Sequence, residues 1–296
     1  NDDVNFYETL EDVSLEQNPL PEIYASETGT IYARLENANQ CQDVLEISLV
    51  VNSTPSFSMP ESYLICTDDP SLTISGPEGF DSYTYYKIGG NTEEVIATNR
   101  MTPIFEIGEY VLEAGYEYTQ DGQITICSSR VEFKVLPSNR AVIDNVLISD
   151  LSKNNSVQIE VSGDGDYEFS LDGVSYQDSN LLENVTPGLA TIFVQDKNGC
   201  GISEEVISVL GYPKFFTPNG DGFNDTWQLI GIDGRFQTDS SISIFDRFGK
   251  QIAEINTDSK GWDGTYNTRT LPASDYWFKA ILEDGREVKG HFALIR

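Results

Sequence analysis

The chain has 296 residues, of which 48 are acidic and 18 are basic, so its formal net charge is −30. A charge of this sign and size repels a phosphate backbone, which excludes nucleic acid as a partner. Apolar residues make up 39% of the chain and aromatic residues 11%. The acidity therefore indicates solvated surfaces over folded cores rather than disorder.

The length predicts two to four domains, because one hydrophobic core rarely extends over so long a chain. Met is almost absent, whereas Tyr and Phe are frequent, and this composition favours strands over helices. No apolar run approaches the roughly twenty residues needed to cross a bilayer, and the first residues lack the features of a signal peptide. We therefore expect the chain to begin inside a longer precursor.

One pattern recurs three times in residues 1–210: a predicted strand, a turn that bears a cysteine, a last strand and a proline. Short alternating strands separated by turn residues are typical of β-sandwiches. We therefore predict an all-β chain of tandem Ig-like antiparallel β-sandwich domains. The predicted units are the C-terminal part of an Ig-like repeat at 1–54, an Ig-like repeat at 55–137 and an adhesin-type repeat at 138–210.

The four cysteines lie far apart, with no C-x-x-C spacing that would indicate zinc or a redox motif. Disulfides formed in an oxidising compartment are the better interpretation. In the second domain, Cys66 follows an early strand and Cys127 precedes the last one, as in a sandwich held by one staple. We predict a Cys66–Cys127 disulfide and expect Cys41 and Cys200 to stay unpaired.

The pattern changes at residue 211. Residues 1–210 hold 36 acidic and 8 basic side chains, whereas residues 211–296 hold 12 and 10 and contain all three tryptophans. We predict a separate compact sandwich at 211–296. Its predicted strands are 226–232, 241–247, 250–255, 275–283 and 287–295. Its core candidates are aromatic: Trp227, Phe245, Trp262, Tyr276, Trp277, Phe278 and Phe292.

Four motifs follow one another in this last segment: FFTPNGDGFNDTW at 215–227, IFDRFGK at 244–250, GWDG at 261–264 and KGHF at 289–292. With these motifs the segment resembles the gliding-motility-associated C-terminal domain. This family is the type B sorting domain of the type IX secretion system of Bacteroidota. The motifs occur in the family's order and extend over the whole segment.

Upstream segments resemble the repeats that precede this domain in large gliding and surface adhesins. These segments are NFYET at 5–9, IYARLEN at 31–37 and the region 157–200, which is similar to the repeat of the mobile gliding adhesin. The third of them lacks the early cysteine of that repeat and has Ala190 where a Tyr is usual.

The resemblance implies export across the outer membrane to the cell surface, with an outer-membrane shuttle barrel and the type IX translocon as partners. We expect the partner to contact one loop and the closing strand, which is available because nothing follows it. Phe292 and Leu294 are expected to face the core, and His291 is left open between core and partner. The candidate contact residues are Pro218, Asn219, Gly220, Asp221, Gly222, Lys289, His291, Ala293, Ile295 and Arg296.

Calcium is the one cofactor with local support. Oxygen ligands at alternate positions are typical of the first half of an EF-hand-like loop, and Gly222 permits a sharp turn. The alternative is a loop of Asx turns, in which side-chain oxygens hold the loop's own backbone amides. The candidate metal positions are Asn219, Asp221, Phe223 and Asp225.

The single histidine, His291, leaves no way to assemble the common serine, cysteine or zinc hydrolase sites, so we expect no enzyme in this chain. The leading hypothesis is the C-terminal region of a secreted adhesin-like surface protein, whose extracellular ligand the sequence does not identify. The alternative is a set of carbohydrate- or protein-binding accessory modules of a secreted enzyme with its catalytic domain upstream. A groove lined with exposed Tyr or Trp in residues 55–210 would favour that alternative.

Overall fold

The computed structural model describes residues 3–36, 42–120, 122–232 and 234–296. Strands dominate, and one six-residue helix occurs within these ranges. The prediction of an all-β chain of tandem Ig-like β-sandwich domains is confirmed. The contacts group the chain into two compact units, one formed by 1–63 with 71–136 and the other by 64–70 with 137–296. The bounds of the four predicted domains stay predictions, because the two units do not divide the chain at all of these positions.

The first sheet is small and antiparallel, in the order β1-β2-β3. Its strands are β1 (Asp3–Tyr7), β2 (Gly29–Glu36) and β3 (Gln42–Leu49). Helix α1 (Leu10–Leu15) begins at the N-cap Thr9, whose hydroxyl accepts a hydrogen bond from the Asp12 N–H at 3.1 Å. Val13 is the buried residue of this helix. Cys41 lies outside the described residues.

The next sandwich has a five-stranded sheet in the order β4-β10-β9-β6-β7 and a two-stranded sheet formed by β5 and β8. The core takes Ile74 and Ile104 from the smaller sheet and Tyr85, Leu112 and Phe133 from the larger one. The strands are β4 (Ser62–Cys66), β5 (Leu72–Ser75), β6 (Ser82–Gly89), β7 (Thr92–Ala97), β8 (Met101–Ile104), β9 (Gly108–Gln120) and β10 (Gln123–Ser138).

A third sandwich consists of two three-stranded sheets, β11-β12-β14 and β13-β15-β16. Its core is mostly aliphatic, with Val157, Ile159, Ile192, Val194 and Val209 all buried. Alternation along the strands sends these β-branched residues to one face. The strands are β11 (Val142–Ser149), β12 (Ser156–Ser162), β13 (Tyr167–Ser170), β14 (Leu181–Glu183), β15 (Gly188–Asp196) and β16 (Ile202–Val209).

The last domain has one five-stranded sheet in the order β17-β23-β22-β18-β19 and the small pair β20-β21. The predicted strand at 226–232 is wrong, because two isolated bridges, Trp227 to Trp262 and Gly211 to Ile230, replace it. The other four predicted strands lie within two residues of those in the structure. The strands are β17 (Phe215–Phe216), β18 (Ser241–Phe245), β19 (Gln251–Asn256), β20 (Thr265–Tyr266), β21 (Arg269–Thr270), β22 (Ser274–Ile281) and β23 (Glu287–Leu294).

Aromatic side chains form the core of this domain, and Trp227 lies at its centre. The Trp227 ring is fully buried and stacks on Phe292 with centroids 4.0 Å apart and planes 12° apart. Trp262, Tyr276 and Phe278 are also buried. Two of the predicted core residues, Trp277 and Phe245, are not: Trp277 is 41% exposed. Alternation along β22 explains this outcome, because the neighbours of Trp277 on both sides face the core.

The predicted Cys66–Cys127 disulfide is wrong, because the structure joins Cys66 to Cys200. Cys127 is a free, half-buried thiol. Cys66 ends β4, and the next residue, Thr67, donates its N–H to the carbonyl of Ser138 at the end of β10. Cys127 lies eleven residues back along β10. At about 3.3 Å per residue it is about 36 Å from that end, too far for a disulfide.

Candidate functional site

The closing strand β23 is an inner strand, held between β17 and β22. It pairs antiparallel with β22 along its whole length and parallel with β17 at Ala293 and Leu294. The closing strand is therefore not an edge strand, since its backbone is paired on both sides at that end. What β23 offers to a partner is the side chains on its outer face.

Alternation along β23 divides its side chains between core and solvent. Phe292 and Leu294 are buried, as predicted. Gly290 faces the same way, and a Cβ there would lie 2.5 Å from the Phe278 ring, so only glycine fits. Four residues of the predicted contact set lie on the opposite, outer face: Lys289, His291, Ala293 and Ile295. This result places His291, which the sequence left open, outside the core.

An aromatic row crosses the outer face of the sheet and consists of Phe245, Trp277 and His291. The strand registers align these three residues side by side, and the Trp277 and His291 rings have centroids 6.5 Å apart. Phe215 lies next to Ala293 on the same face and is 48% exposed. Sequence reasoning assigned Phe245 and Trp277 to the core. The period-two alternation of Tyr276-Trp277-Phe278 was the signal that could have separated them.

A charged group lies further along the same face. The Glu287 carboxylate contacts the ammonium groups of Lys279 at 2.8 Å and Lys289 at 2.5 Å. Hydrogen bonds from Lys279 and then Lys289 lower the pKa of Glu287 to about 2. Lys289, one of the predicted contact residues, is therefore already engaged by a carboxylate on its own strand.

The loop at 218–225 is held by its own carboxylates. Asp225 accepts hydrogen bonds from the N–H groups of Asn219, Gly220 and Gly222 at 2.6–3.0 Å. Asp221 accepts from the Phe223 N–H at 2.8 Å, and this bond, followed by one from Asn219, lowers the pKa of Asp221. These contacts are the Asx-turn arrangement that the sequence allowed.

Calcium at this loop stays a prediction. The loop brings Asn219, Asp221 and Asp225 together, but their side-chain oxygens face N–H donors of the loop. Across the described ranges, no group of three His, Cys, Asp or Glu side chains is arranged to hold a metal ion. Phe223 is 77% exposed.

The parallel pairing of β17 with β23 places this loop beside the end of the closing strand. Ile295 donates its N–H to the carbonyl of Phe216 at 3.0 Å, and Thr217, which follows Phe216, donates to Asn224 across the loop. The structure therefore brings the two predicted contact segments together. Arg296 is used within the domain, because its Nε donates to the carbonyl of Leu271 at 3.0 Å.

Residues 210–294 match the CHU_C type IX secretion signal domain. The C-terminal segment of this chain is a type IX sorting domain. The suspected family is therefore confirmed for this segment, and so is the predicted export across the outer membrane to the cell surface or the medium. No helix within the described ranges is long and apolar enough to cross a membrane.

Residues 1–55 match the Flavobacterium inter-domain disulphide bond domain. No curated protein matches the chain. The sorting-domain match at 210–294 includes the aromatic row, the loop and the closing strand of the candidate site.

Several solved structures with immunoglobulin-like folds show weak similarity. The amphioxus IgVJ-C2 molecule is 12% identical, with a TM-score of 0.25, over 50% of this chain and 98% of its own. The insect immune protein hemolin is 11% identical, with a TM-score of 0.23, over 99% and 91%. The Bacteroides ovatus mixed-linkage glucan utilization locus protein SGBP-B is 15% identical, with a TM-score of 0.18, over 83% and 68%. Similarity at this level says nothing about function.

Proposed function

We propose that residues 211–296 are recognised by an outer-membrane shuttle barrel of the type IX translocon through the aromatic row and the adjoining loop. The observation that carries this proposal is the exposure of Trp277 on a sheet face whose other side holds the aromatic core. Large aromatic side chains are enriched at the centres of protein interfaces, where they contribute most of the binding energy.

The charge of the domain supports the same proposal. Residues 211–296 are almost neutral, with 12 acidic and 10 basic side chains, whereas residues 1–210 carry a net charge of −28. An interface on the neutral segment avoids the desolvation of many unpaired carboxylates, which would oppose binding on the acidic one.

Export of full-chain variants tests the proposal. The chain is expressed behind a signal peptide in a type IX-competent bacterium, and the exported fraction is measured with co-purification of the shuttle. Trp277→Gln is expected to lower both at least tenfold, because it removes the largest exposed ring of the row.

Ile281→Gln is the matched control. Ile281 lies on the same face of the same strand, is 48% exposed, and is about 13 Å from Trp277 along β22. This variant should be exported like the parent. If Trp277→Gln folds with an unchanged melting temperature and is exported like the parent, the contact lies elsewhere.

Residues 1–210 are proposed to space or present an adhesin-like surface region, without an enzyme in this chain. A groove lined with exposed Tyr or Trp in residues 55–210 would favour the accessory-module alternative. The hollow lined by Lys87, Phe105 and Tyr110 is not such a groove, because Tyr110 is its one tyrosine and is only 2% exposed. Attachment of cells that display or lack the chain to defined surfaces tests the adhesive role. Equal attachment would contradict it.

A further inference from the structure

A fully buried carboxylate ends β15 in the third sandwich. Asp196 has no exposed surface, and its two oxygens accept four hydrogen bonds. One oxygen accepts from the Asp166 N–H at 3.1 Å and the Asn198 amide at 3.2 Å. The other accepts from the Ser138 hydroxyl at 3.0 Å and the Cys200 N–H at 3.1 Å. A buried carboxylate is costly unless its oxygens are paired, so the site holds these donors firmly.

Two of the four donors connect Asp196 to the two bonded cysteines. The Cys200 N–H contacts Asp196 directly. Ser138 contacts it through the hydroxyl, while the Ser138 carbonyl accepts a hydrogen bond of 2.9 Å from Thr67, the residue after Cys66. Hydrogen bonds to the carbonyl and from the hydroxyl of Ser138 therefore connect the backbone beside Cys66, through the Asp196 carboxylate, to the backbone of Cys200.

The native pairing has competitors in the unfolded chain, because Cys41 and Cys127 are both closer to Cys66 in sequence than Cys200 is. The bond of Cys66 to Cys200 closes a separation of 134 residues, whereas a bond to Cys127 would close 61. Loop-closure probability falls with the 3/2 power of length, so the unfolded chain favours the shorter loop about threefold. Cys127 is also a free thiol. Contacts of the folded chain must therefore select Cys200.

We propose that Asp196 is the positioning residue that selects Cys200 as the disulfide partner of Cys66, and that Ser138 connects it to the Cys66 side. The carboxylate acts by holding the backbone at both cysteines. It takes no part in the sulfur chemistry.

The pairing reaction requires an oxidant, for which oxidised glutathione, a small disulfide, serves in the test. The Cys66 thiolate attacks one glutathione sulfur, forms a mixed disulfide and releases one glutathione thiolate. The Cys200 thiolate then attacks the Cys66 sulfur and releases the second. Two protein thiols are oxidised and one glutathione disulfide is reduced to two thiols. The two protons that the protein thiols lose are taken up by the two released glutathione thiolates.

Oxidative refolding of the full chain tests the proposal. The reduced chain is refolded in a glutathione buffer, trapped by alkylation and mapped by mass spectrometry under non-reducing conditions. The readout is the ratio of the Cys66–Cys200 peptide to the Cys66–Cys127 peptide. Asp196→Asn should lower this ratio at least tenfold, because the amide presents N–H donors where the site requires an acceptor. Ser138→Ala, a milder change, should lower it about threefold.

Asp172→Asn is the matched control. Asp172 lies in the same sandwich and its carboxylate also accepts two backbone N–H groups, from Val174 and Ser175, but it contacts neither cysteine. Its pairing ratio should equal that of the parent even if stability falls. A parent-like ratio in Asp196→Asn overturns the proposal. If Asp196→Asn does not fold, a parent-like ratio in Ser138→Ala overturns it instead.

Discussion

The third sandwich and the sorting domain are neighbours in sequence and are stabilised by different means. The third sandwich has an aliphatic core in which Phe169 is the buried ring among the described residues. It also has the buried Asp196 and a disulfide from Cys200 to Cys66 at the end of β4. The sorting domain contains no cysteine, and its core is centred on Trp227 and Phe292. The stability of the sorting domain therefore does not depend on a disulfide, whereas the third sandwich gains stability from one that forms in an oxidising environment.

Within the sorting domain, the two faces of the main sheet also differ. Its inner face holds the buried rings of the core, and its outer face holds the exposed ring of Trp277. Trp227 and Trp277 lie on these two faces, one fully buried and the other 41% exposed.

The largest effect is expected from Trp227→Ala. Its ring is fully buried between Phe292 and Phe278, so truncation should lower the free energy of unfolding by about 3–5 kcal/mol. The same truncation at Trp277, which is exposed, should cost less than about 1 kcal/mol. Urea denaturation followed by circular dichroism measures both. Equal losses would show that the two faces do not differ as described.

Alternation allowed much of the sorting domain to be predicted. Four of five strands, the inward Phe292 and Leu294, and the outward Lys289 and Ala293 follow from a period of two. The same rule places Trp277 on the outer face, whereas its aromatic character alone favours the core. The strand predicted at 226–232 failed because its residues bond to distant segments in isolated bridges, which no local pattern records.

The cysteine pairing could not be obtained from the sequence, because it depends on non-local strand pairing. Cys127 and Ser138 lie on one long strand, and only the end at Ser138 is close to Cys66. The proximity of the loop to the closing strand depends in the same way on the parallel pairing of β17 with β23. The motifs indicated these two segments but not the contact between them.

The second effect concerns the disulfide. Replacing Cys66 and Cys200 together by Ser should lower the free energy of unfolding of the third sandwich by about 2–4 kcal/mol, because the unfolded chain gains freedom. Hydrogen exchange by mass spectrometry over 138–210 measures the loss. Tryptophan fluorescence reports only on the sorting domain, since all three tryptophans lie there, and its transition should not move.

Cys127→Ser is the control for this comparison. Cys127 is unpaired, so its replacement should leave exchange over 138–210 as in the parent. Two outcomes would contradict the statement that the two domains are stabilised by different means. One is a double serine variant with parent-like exchange, and the other is a double serine variant in which the fluorescence transition also shifts.

The smallest effect is expected at Glu287, on the outer face of the sorting domain. Its pKa is lowered to about 2 by hydrogen bonds from Lys279 and then Lys289, from an ordinary value of 4.5. A lowered pKa means that the contribution of the ion pairs is present above pH 4.5 and is lost as the pH falls from 4.5 towards 2. Glu287 is solvated, so the change in stability is small and the titration itself is the better readout.

In a variant with Lys279→Met and Lys289→Met, the carboxyl resonance of Glu287 should titrate near 4.5. The control is Lys250→Met, which replaces a lysine that lies over the Tyr266 ring and should leave the pKa of Glu287 near 2. If Glu287 still titrates near 2 without both lysines, another group holds the carboxylate ionised, and Lys289 is then free to meet a partner.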